Sequence, residues 1–188
     1  MDEPIQPERL KKRLAHSLFA SHIHYYPSID STNAVAKALA GQGAPEGTLV
    51  VTEEQTAGRG RRGKSWVSPP GANLLFSLLL RPSMEGERVF VLTMVMALVT
   101  AEVVRGVTGL SPWIKWPNDL YVGRKKLAGI LTEFGMRGRT LDYVILGMGL
   151  NVDWYPPEEE GVRRLATSLL EETGVKYPRQ GLLLEILK

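Results

Sequence analysis

Residues 126–152, KLAGILTEFGMRGRTLDYVILGMGLNV, decide the fold class of this chain. The apolar run 126–134 and the run 141–152 each predict a strand, because strand-forming residues recur in them and turn formers bound them. Arg137-Gly138-Arg139 lies between the two runs and predicts the turn that joins them. The stretch therefore predicts two consecutive strands of an antiparallel or mixed sheet.

The other elements are predicted from apolar runs, helix caps and chain breakers. Strands are expected at 22–28, 48–52, 73–81, 113–116 and 121–122. Helices are expected at 7–20, after the candidate caps 30–33 as far as Gly41, at 88–107, and from about 179 onward. The Pro- and Glu-rich stretch 154–161 is expected to be a loop. Helices interspersed with consecutive hairpins predict the α+β class, with a mixed, mostly antiparallel sheet and helices packed on it.

The composition of the 188 residues fits one domain with a sizeable core, because 44% of them are hydrophobic and 23% are charged. The chain has no cysteine, which excludes disulfides, thiolate metal sites and a cysteine nucleophile. No apolar run is predicted to be long enough to cross a membrane. The N-terminus, MDEPIQPERLKKRL, lacks the apolar core of a secretion signal. We therefore expect a cytoplasmic protein.

A glycine- and arginine-rich segment, GRGRRGKS at 58–65, matches the letters of a phosphate-binding P-loop and resembles an RNA-binding arginine–glycine segment. A P-loop must open directly into a helix, whereas Pro69, Pro70 and Gly71 follow this segment and would break a helix. RNA-binding segments of this type run long and repeat, whereas this one is short and lies between two predicted strands. The remaining interpretation is a formed loop whose glycines allow close approach to a ligand and whose arginines bind carboxylate or phosphate.

The charge distribution around this loop favours an anionic ligand. The net charge is only +3, which does not by itself define a nucleic-acid binder. Between Glu54 and Glu85, however, there is no acidic residue, and the cations in that interval are Arg59, Arg61, Arg62, Lys64 and Arg81. An ordinary solvated basic surface is the alternative interpretation of this local excess.

Three more segments place polar side chains or glycines at predicted strand ends. The segment WIKWPND, 113–119, predicts either a cluster of polar ligand-binding groups or a strand that ends in a turn with core tryptophans. Lys126 is either a charge aimed at an anion or a solvated lysine at the end of a hairpin. The segment GMGLN, 147–151, indicates close approach by a ligand or another backbone, or else a bulge.

The glycine- and arginine-rich loop, the three segments just described and the segment at 30–33 resemble the motifs of the biotin protein ligase family, in order and in approximate spacing. The resemblance covers about residues 25–170 and is carried by DSTN at 30–33, QTAGRGRRG at 55–63 with Trp66, KWPNDL at 115–120, KLAGIL at 126–131 and GMGLNV at 147–152. It implies the fold shared by biotin ligases and class II aminoacyl-tRNA synthetases.

The resemblance also implies a two-step reaction. The biotin carboxylate attacks the α-phosphate of ATP, releases pyrophosphate and forms biotinyl-5′-AMP. A lysine of a biotin carboxyl carrier protein then attacks the mixed anhydride. The implied cofactors are ATP, biotin and Mg²⁺. Neither step needs a protein nucleophile, which agrees with a sequence that has no cysteine and no Gly-x-Ser-x-Gly motif.

The family pattern implies roles for individual residues. The catalytic residues would be Arg59, Arg61 and Lys126, which would neutralise carboxylate and phosphate. The biotin-binding residues would be Ser31, Thr32, Asn33, Gln55, Gly58, Arg59, Gly60, Arg61, Lys126 and Gly129. The ATP-binding residues would be Arg61, Trp66, Lys115, Asn118 and Asn151, with Trp66 stacked on adenine. Asp119 is the candidate Mg²⁺ ligand. The glycine-rich loop would close over the ligand and shield the anhydride from water.

The resemblance further implies how the chain is organised. Residues 1–188 are expected to form the catalytic domain. Only 29 residues precede Asp30, so we expect the N-terminal helix-turn-helix of some family members to be absent, which disfavours nucleic-acid binding. The small SH3-like domain that usually ends the family is expected to be absent or truncated. A homodimer is expected by analogy.

Three alternatives to a biotin ligase stay open on the sequence. A lipoate- or octanoate-handling ligase would share the fold and the acyl-adenylate chemistry. A non-catalytic relic of the ligase would bind ligand without turnover. A nucleic-acid-binding module would use the basic loop and would show strong, salt-dependent binding to DNA or RNA.

Overall fold

The hairpin predicted at 126–152 lies at the centre of the sheet in the computed structural model, which describes residues 4–157 and 165–188. The strands in these residues are β1 (Ile23–Tyr26), β2 (Thr48–Thr52), β3 (Leu74–Leu80), β4 (Trp113–Lys115), β5 (Asp119–Val122), β6 (Lys125–Arg137) and β7 (Thr140–Leu150). Their order across the sheet is β1-β2-β3-β7-β6-β5-β4. Only β1 and β2 pair in parallel, so the predicted mixed, mostly antiparallel sheet is confirmed for the described part of the chain.

The sheet divides the core in two. The α-helices in the described residues are α1 (Pro7–Arg13), α2 (Thr32–Gly41), α3 (Phe90–Thr108), α4 (Leu169–Thr173) and α5 (Arg179–Ile186). Helix α2 packs on one face, where Ala36 and Ala40 join Val50, Leu79 and Ile145 in the smaller core cluster. Buried residues of α1, α3 and α5 form the larger cluster with strand residues of the opposite parity. Because side chains alternate along a strand, the two clusters lie on opposite faces.

Alternation along β3 brings a polar residue to the α2 face. Leu74, Phe76 and Leu78 belong to the larger core cluster, whereas Leu79 packs under α2. Ser77 has the same parity as Leu79 and is completely buried. The face covered by α2 is therefore apolar at one end and polar farther along the strand, and the polar end forms the candidate site.

Two elements differ from the sequence prediction. Helix α1 ends at Arg13 rather than at residue 20, because the Ser17 hydroxyl accepts a hydrogen bond from the backbone of Phe19 and stabilises a turn instead. Helix α4 is missing from the prediction, although Ser168 accepts a hydrogen bond from the backbone of Glu171 and so caps its first turn. Of the predicted loop 154–161, residues 158–161 lie outside the described residues.

The helical stretch Gly86–Thr108 is long and apolar enough, by length and composition alone, to cross a membrane. The prediction that no apolar run reaches this length was therefore wrong. One side of α3 nevertheless packs into the larger core, through Thr93, Met96, Ala97, Thr100, Ala101 and Val104. This spacing of three and four residues is the stripe with which a helix covers a sheet.

A buried ion pair joins the C-terminal helix to the sheet. Arg179, at the start of α5, is 1% exposed, and its guanidinium pairs with Glu53, which directly follows β2. Glu53 also accepts hydrogen bonds from the backbone N–H of Ile5 at 2.8 Å and from the Tyr25 hydroxyl at 3.3 Å. Burial, together with the Glu53 carboxylate, raises the pKa of Tyr25. Three separate segments therefore meet at one carboxylate.

We expect Arg179→Met to lower the free energy of unfolding by about 3–5 kcal/mol, because it leaves the Glu53 carboxylate buried without its charged partner. Urea unfolding followed by circular dichroism measures the loss. The double variant Arg179→Met/Glu53→Gln is expected to recover a large part of it, since the uncompensated charge is then gone. A loss under about 1 kcal/mol in the single variant would mean that the pair behaves like an exposed one.

Candidate functional site

The site is built on two rows of residues, one that runs across β3, β7 and β6 and one that runs across β7 and β6. The first row pairs Ser77 with Gly147 and Gly147 with Leu131. The second row pairs Gly149 with Gly129. Three of these five residues have no side chain, so this part of the sheet face is open to whatever approaches it. Two side chains from elsewhere in the chain take up that space.

Asn33 occupies the first row. Its amide lies so close to Gly147 that a Cβ there would stand 1.9 Å from Asn33 Oδ1. Ser77 Oγ donates to Asn33 Oδ1 at 2.7 Å, and Asn33 Nδ2 donates to the Leu131 carbonyl at 3.2 Å and to Glu133 Oε2 at 2.9 Å. The amide thus bridges β3 and β6 over the glycine of β7.

The N-terminus of α2 adds further polar groups. Ser31 is the N-cap residue, but its side chain does not cap the helix. The backbone N–H of Thr32 donates to Gln55 Oε1 at 2.8 Å, and Thr32 Oγ1 lies 3.1 Å from the same oxygen and 2.7 Å from Ser77 Oγ. Ser31, Thr32 and Asn33 are each 3% exposed. This end of the site is therefore a buried polar cluster that can hydrogen-bond a polar ligand group.

The segment 58–65 forms a loop that closes on itself. The backbone N–H of Trp66 donates to the Gly58 carbonyl at 2.9 Å. A Cβ at Gly58 would stand 2.4 Å from the Trp66 carbonyl oxygen, so glycine allows this closure. No α-helix follows in residues 64–73, all of which the structure describes. The structure therefore excludes a P-loop for the reason predicted from the sequence, which is that no helix follows the loop.

Arg61 connects this loop to the β4–β5 hairpin. Its Nη1 donates to Asn118 Oδ1 at 2.8 Å. Asn118 is in turn fixed to β6, because its Nδ2 donates to the Ile130 carbonyl at 2.9 Å and its own carbonyl accepts from the Ile130 N–H at 2.8 Å. Arg59 lies in the same loop and lines the same pocket. The two arginines thereby face the sheet from a loop that is anchored to it.

Trp66 occupies the second row. A Cβ at Gly149 would stand 2.5 Å from its indole, and one at Gly129 would stand 3.2 Å from it. Within the described residues, the buried Trp66 Nε1 has no hydrogen-bond partner. Lys126 Nζ lies 5.5 Å from the centroid of the indole ring and 2.8 Å from Asp119 Oδ1, an ion pair without hydrogen-bond geometry. The lysine charge is therefore held between a carboxylate and an aromatic face.

One pocket gathers most of the predicted site. The predicted residues in its lining are Ser31, Thr32, Asn33, Gln55, Arg59, Gly60, Arg61, Trp66, Asn118, Lys126 and Gly129. The other residues in its lining are Ile130, Leu131, Gly147, Met148 and Gly149. The polar cluster at α2 and the cations of the loop and β6 thus share one cavity. Such a cavity can hold a ligand with a polar head and an anionic tail.

The predicted residues outside this lining are Gly58, Lys115, Asp119 and Asn151. Gly58 and Asp119 each contact a residue of the lining, as described above. Lys115 is separate, because its Nζ lies 4.9 Å from the ring centroid of Tyr121 and 3.4 Å from the Tyr121 hydroxyl, on an exposed part of the β4–β5 hairpin. Its role in nucleotide binding stays a prediction.

Asn151 lines a second, largely apolar slot that also includes Trp66 and Trp154. Asn151 Oδ1 accepts from Asn73 Nδ2 at 3.3 Å, and its Nδ2 donates to the Thr167 carbonyl at 2.9 Å. Because Trp66 lines both cavities, the slot adjoins the pocket at the indole. An apolar slot with one amide suits a flat heteroaromatic base.

Sequence reasoning missed Ser77 and Asn73. Ser77 interrupts the apolar run NLLFSLLL, and a polar residue inside a buried strand is a signal that a hydrogen-bond partner lies nearby. Asn73 is the first residue of the same run, and its carboxamide oxygen accepts from the backbone N–H of Val152 at 3.0 Å. The close approach predicted at Gly147 and Gly149 is found, but the groups that approach are side chains of this chain.

Titratable groups that could bind a metal are sparse. Within the described residues, no group of three or more His, Cys, Asp or Glu side chains could hold a metal ion. Asp119, the candidate Mg²⁺ ligand, is paired with Lys126. His22 and His24 lie at the β1 edge of the sheet. Burial lowers the pKa of His24, and the charge of the nearby His22 lowers it further. Neither histidine lines the pocket.

Comparisons with known proteins point to one family. A profile of the biotin/lipoate A/B protein ligase family matches residues 25–151. The bifunctional ligase/repressor BirA of Bacillus subtilis is 38% identical over 177 residues, which cover 93% of this chain and 54% of that protein. The biotin–[acetyl-CoA-carboxylase] ligase of Paracoccus denitrificans is 40% identical over 129 residues, which cover 68% of this chain and 53% of that protein. The chain thus spans about half the length of these curated relatives.

A solved structure agrees with the sequence relatives. Biotin protein ligase from Aquifex aeolicus, in complex with biotin and ATP, superposes with a TM-score of 0.76 at 35% sequence identity. The match covers 89% of this chain and 67% of the Aquifex chain. At this identity the likeness extends to the sequence and does not rest on the fold alone.

We expect Gly147→Ala to lower the free energy of unfolding by about 1–3 kcal/mol, because the new methyl group would displace the Asn33 amide from its buried partners. Thermal or urea unfolding measures the change. The matched control is Gly106→Ala in α3, where a Cβ would meet nothing within 4 Å. Alanine there should keep or raise stability, by up to about 1 kcal/mol. Equal stability of Gly147→Ala and the parent would contradict the crowding described above.

Proposed function

Because the chain belongs to the biotin/lipoate A/B protein ligase family, we propose that it is a biotin–protein ligase. It forms biotinyl-5′-AMP from biotin and ATP and then transfers the biotinyl group to a lysine of a biotin carboxyl carrier protein. The observation that carries this proposal is one pocket that joins the buried polar cluster at Thr32 and Gln55 to the cations Arg59, Arg61 and Lys126. The Aquifex relative, solved with biotin and ATP, supports the same pair of ligands.

The first step needs positive charge between two anions. A biotin carboxylate oxygen bonds to the α-phosphorus of ATP, the bond from that phosphorus to the bridging oxygen breaks, and pyrophosphate leaves. Arg59, Arg61 and Lys126 offset the repulsion between carboxylate and phosphate and stabilise the charge that develops on the phosphoryl oxygens. Arg61 is already held by Asn118. Its side chain therefore loses little conformational entropy when the ligands bind.

The second step needs only positioning. The neutral amine of the acceptor lysine attacks the acyl carbon of the mixed anhydride, and AMP leaves with the electron pair of the C–O bond. The amine loses one proton in forming the amide. We assign no group of this chain as the acceptor of that proton. Bringing the amine and the anhydride together in the correct orientation accounts for a large part of such a rate.

We assign the polar cluster to the head of biotin. Ser31, Thr32, Asn33 and Gln55 present hydroxyl and amide groups that can pair with the ureido N–H and C=O groups. Gly129 leaves room beside Lys126 for the carboxylate end. In the loop, Gly58 and Gly60 allow the backbone to lie close to the ligand.

We assign the slot at Trp66 and Asn151 to the nucleotide base. The indole offers a flat face for stacking, and the amide of Asn151 keeps hydrogen-bonding capacity beyond its two protein partners. Asn118 and Lys115 complete the proposed nucleotide contacts, although Lys115 does not line the pocket. Mg²⁺ fits as a cofactor that Asp119 and the phosphates of ATP would hold, since this ion usually takes one or two carboxylates plus substrate phosphates. When bound, it neutralises phosphate charge.

The acceptor and the setting are proposed from the relatives. The name of the Paracoccus ligase supports the carboxyl carrier part of acetyl-CoA carboxylase as acceptor. We propose that residues 1–188 carry the catalytic domain, that the reaction takes place in the cytoplasm and that the protein forms a homodimer. We propose no nucleic-acid ligand and no membrane partner.

A lipoate- or octanoate-handling ligase is the second candidate, because the matching family includes lipoate ligases. Both of those acids have an apolar chain or ring where biotin has its ureido group. The lone pairs and protons of this buried cluster that still face the cavity would gain no hydrogen bond from such a ligand and would lose contact with water, which costs affinity. The cluster at Thr32 and Asn33 therefore favours biotin.

Biotin-dependent exchange of labelled pyrophosphate into ATP tests the proposal, with lipoate and octanoate as controls. Exchange with biotin alone would establish adenylation and its substrate. Exchange with lipoate or octanoate would support the second candidate. Folded protein that gives no exchange with any acid would show that residues 1–188 do not adenylate these acids alone, and would leave either an enzyme that needs a further domain or a non-catalytic ligand-binding protein.

We expect Arg61→Ala to lower kcat/KM for biotin-dependent exchange by about 10²–10³-fold, because one preorganised donor to the developing phosphate charge is removed. Arg62→Ala is the matched control: it removes the same charge from the adjacent residue, which is exposed and does not line the pocket. We expect Arg62→Ala to change the rate little. Equal losses in the two variants would show that only the overall charge of the loop matters and would overturn the role given to Arg61.

A further inference from the structure

Ser77 is buried in the polar cluster but lies outside the pocket lining. Its Oγ lies 2.7 Å from Thr32 Oγ1 and 2.7 Å from Asn33 Oδ1. A serine has one hydroxyl proton, so it cannot donate to both oxygens at once. The positions of the protons in this cluster determine whether the pocket offers donors or acceptors to a ligand.

The carboxylate of Glu133 accepts hydrogen bonds only. Asn33 Nδ2 lies 2.9 Å from Glu133 Oε2 and 3.2 Å from the Leu131 carbonyl, which also only accepts. The amide nitrogen must therefore face these two groups, and the opposite orientation of the amide is excluded. Asn33 Oδ1 then faces Ser77 Oγ, and the Ser77 proton must lie between them.

The Ser77 proton is thus used, and the contact between Thr32 and Ser77 needs the Thr32 proton. Two oxygens 2.7 Å apart without a proton between them would repel each other. Gln55 Oε1 could also accept the Thr32 proton, at 3.1 Å, but that arrangement would leave the 2.7 Å contact between Thr32 and Ser77 without a proton. The Thr32 proton therefore lies toward Ser77. Thr32 Oγ1 is consequently left with lone pairs only toward the cavity that it lines.

We propose that Ser77 is a specificity-determining positioning residue, which holds the Thr32 hydroxyl as a hydrogen-bond acceptor and so makes the pocket select an acid that brings an N–H donor. This inference rests on the proposed function and names the feature by which the site tells substrates apart. The cyclic urea of biotin supplies such a donor. The dithiolane of lipoate and the chain of octanoate supply none and would leave a buried acceptor unpaired.

The variant Ser77→Ala tests this inference. It removes the acceptor nearest to the Thr32 proton, which can then turn to Gln55 Oε1 or into the cavity, and it removes the donor to Asn33. Because the two groups are no longer held in one arrangement, we expect the Kd for biotin, measured by calorimetry, to rise about 10- to 100-fold. The KM for ATP in the exchange assay should stay within about twofold of the parent value, since Ser77 lies in the row away from the nucleotide slot. Octanoate, measured by competition, should bind no more weakly than to the parent.

The matched control is Thr100→Val in α3, which removes an equally buried hydroxyl that donates to the Met96 carbonyl and, among the described residues, to no other group. It should lower stability by a similar amount and leave biotin affinity unchanged. Ser77→Thr, which keeps the hydroxyl, should restore biotin affinity at least in part. Equal weakening of biotin and octanoate by Ser77→Ala, or unchanged biotin affinity, would overturn the inference.

A second probe is biotin methylated at one or the other ureido nitrogen. In the parent, blocking the N–H that faces Thr32 should cost much more affinity than blocking the other. In Ser77→Ala this difference should shrink, and an undiminished difference would contradict the inference. A parent that binds biotin but gives no pyrophosphate exchange would refute only the proposed ligase activity, because the binding measurements on Ser77 need no turnover.

Discussion

Three glycines on neighbouring strands, Gly129, Gly147 and Gly149, determine where this chain can hold a ligand. A β-carbon at any of them would overlap a side chain that forms the pocket wall. Farther along the same sheet face, Leu79 and Ile145 pack under α2 and close the surface. One face of the sheet is thus filled by a helix at one end, and at the other end the missing side chains let Asn33 and Trp66 lie against the strands as walls of the pocket.

The positive charge of the site is partly neutralised before any ligand arrives. Lys126 is paired with Asp119 and lies near the indole of Trp66, and Arg61 is bonded to Asn118. These contacts fix cations that would otherwise move freely, so less conformational entropy is lost on binding. An incoming carboxylate or phosphate must share these cations with their present partners.

The strands and long helices could be predicted because their signals are local. Runs such as 73–81 and 141–152 are apolar over the length of a strand, and β3 and β7 overlap them. The hydrogen-bond partners of the site could not be predicted, because Ser77 meets Asn33 across 44 residues of chain and Asn73 meets Asn151 across 78. Such pairs depend on strand order and register, which a single sequence does not specify.

Adenylate chemistry alone does not choose a substrate, because cations that bind one carboxylate bind another. Discrimination between acids must come from groups far from the reacting carboxylate, in the part of the pocket where the acids differ. In that part of the pocket, the direction of each hydrogen bond determines which acid binds. The carboxylate of Glu133 sets that direction, because it can only accept hydrogen bonds. Through Asn33 and Ser77 this constraint reaches Thr32. A residue outside the pocket lining thereby determines whether the ligand must bring a donor or an acceptor.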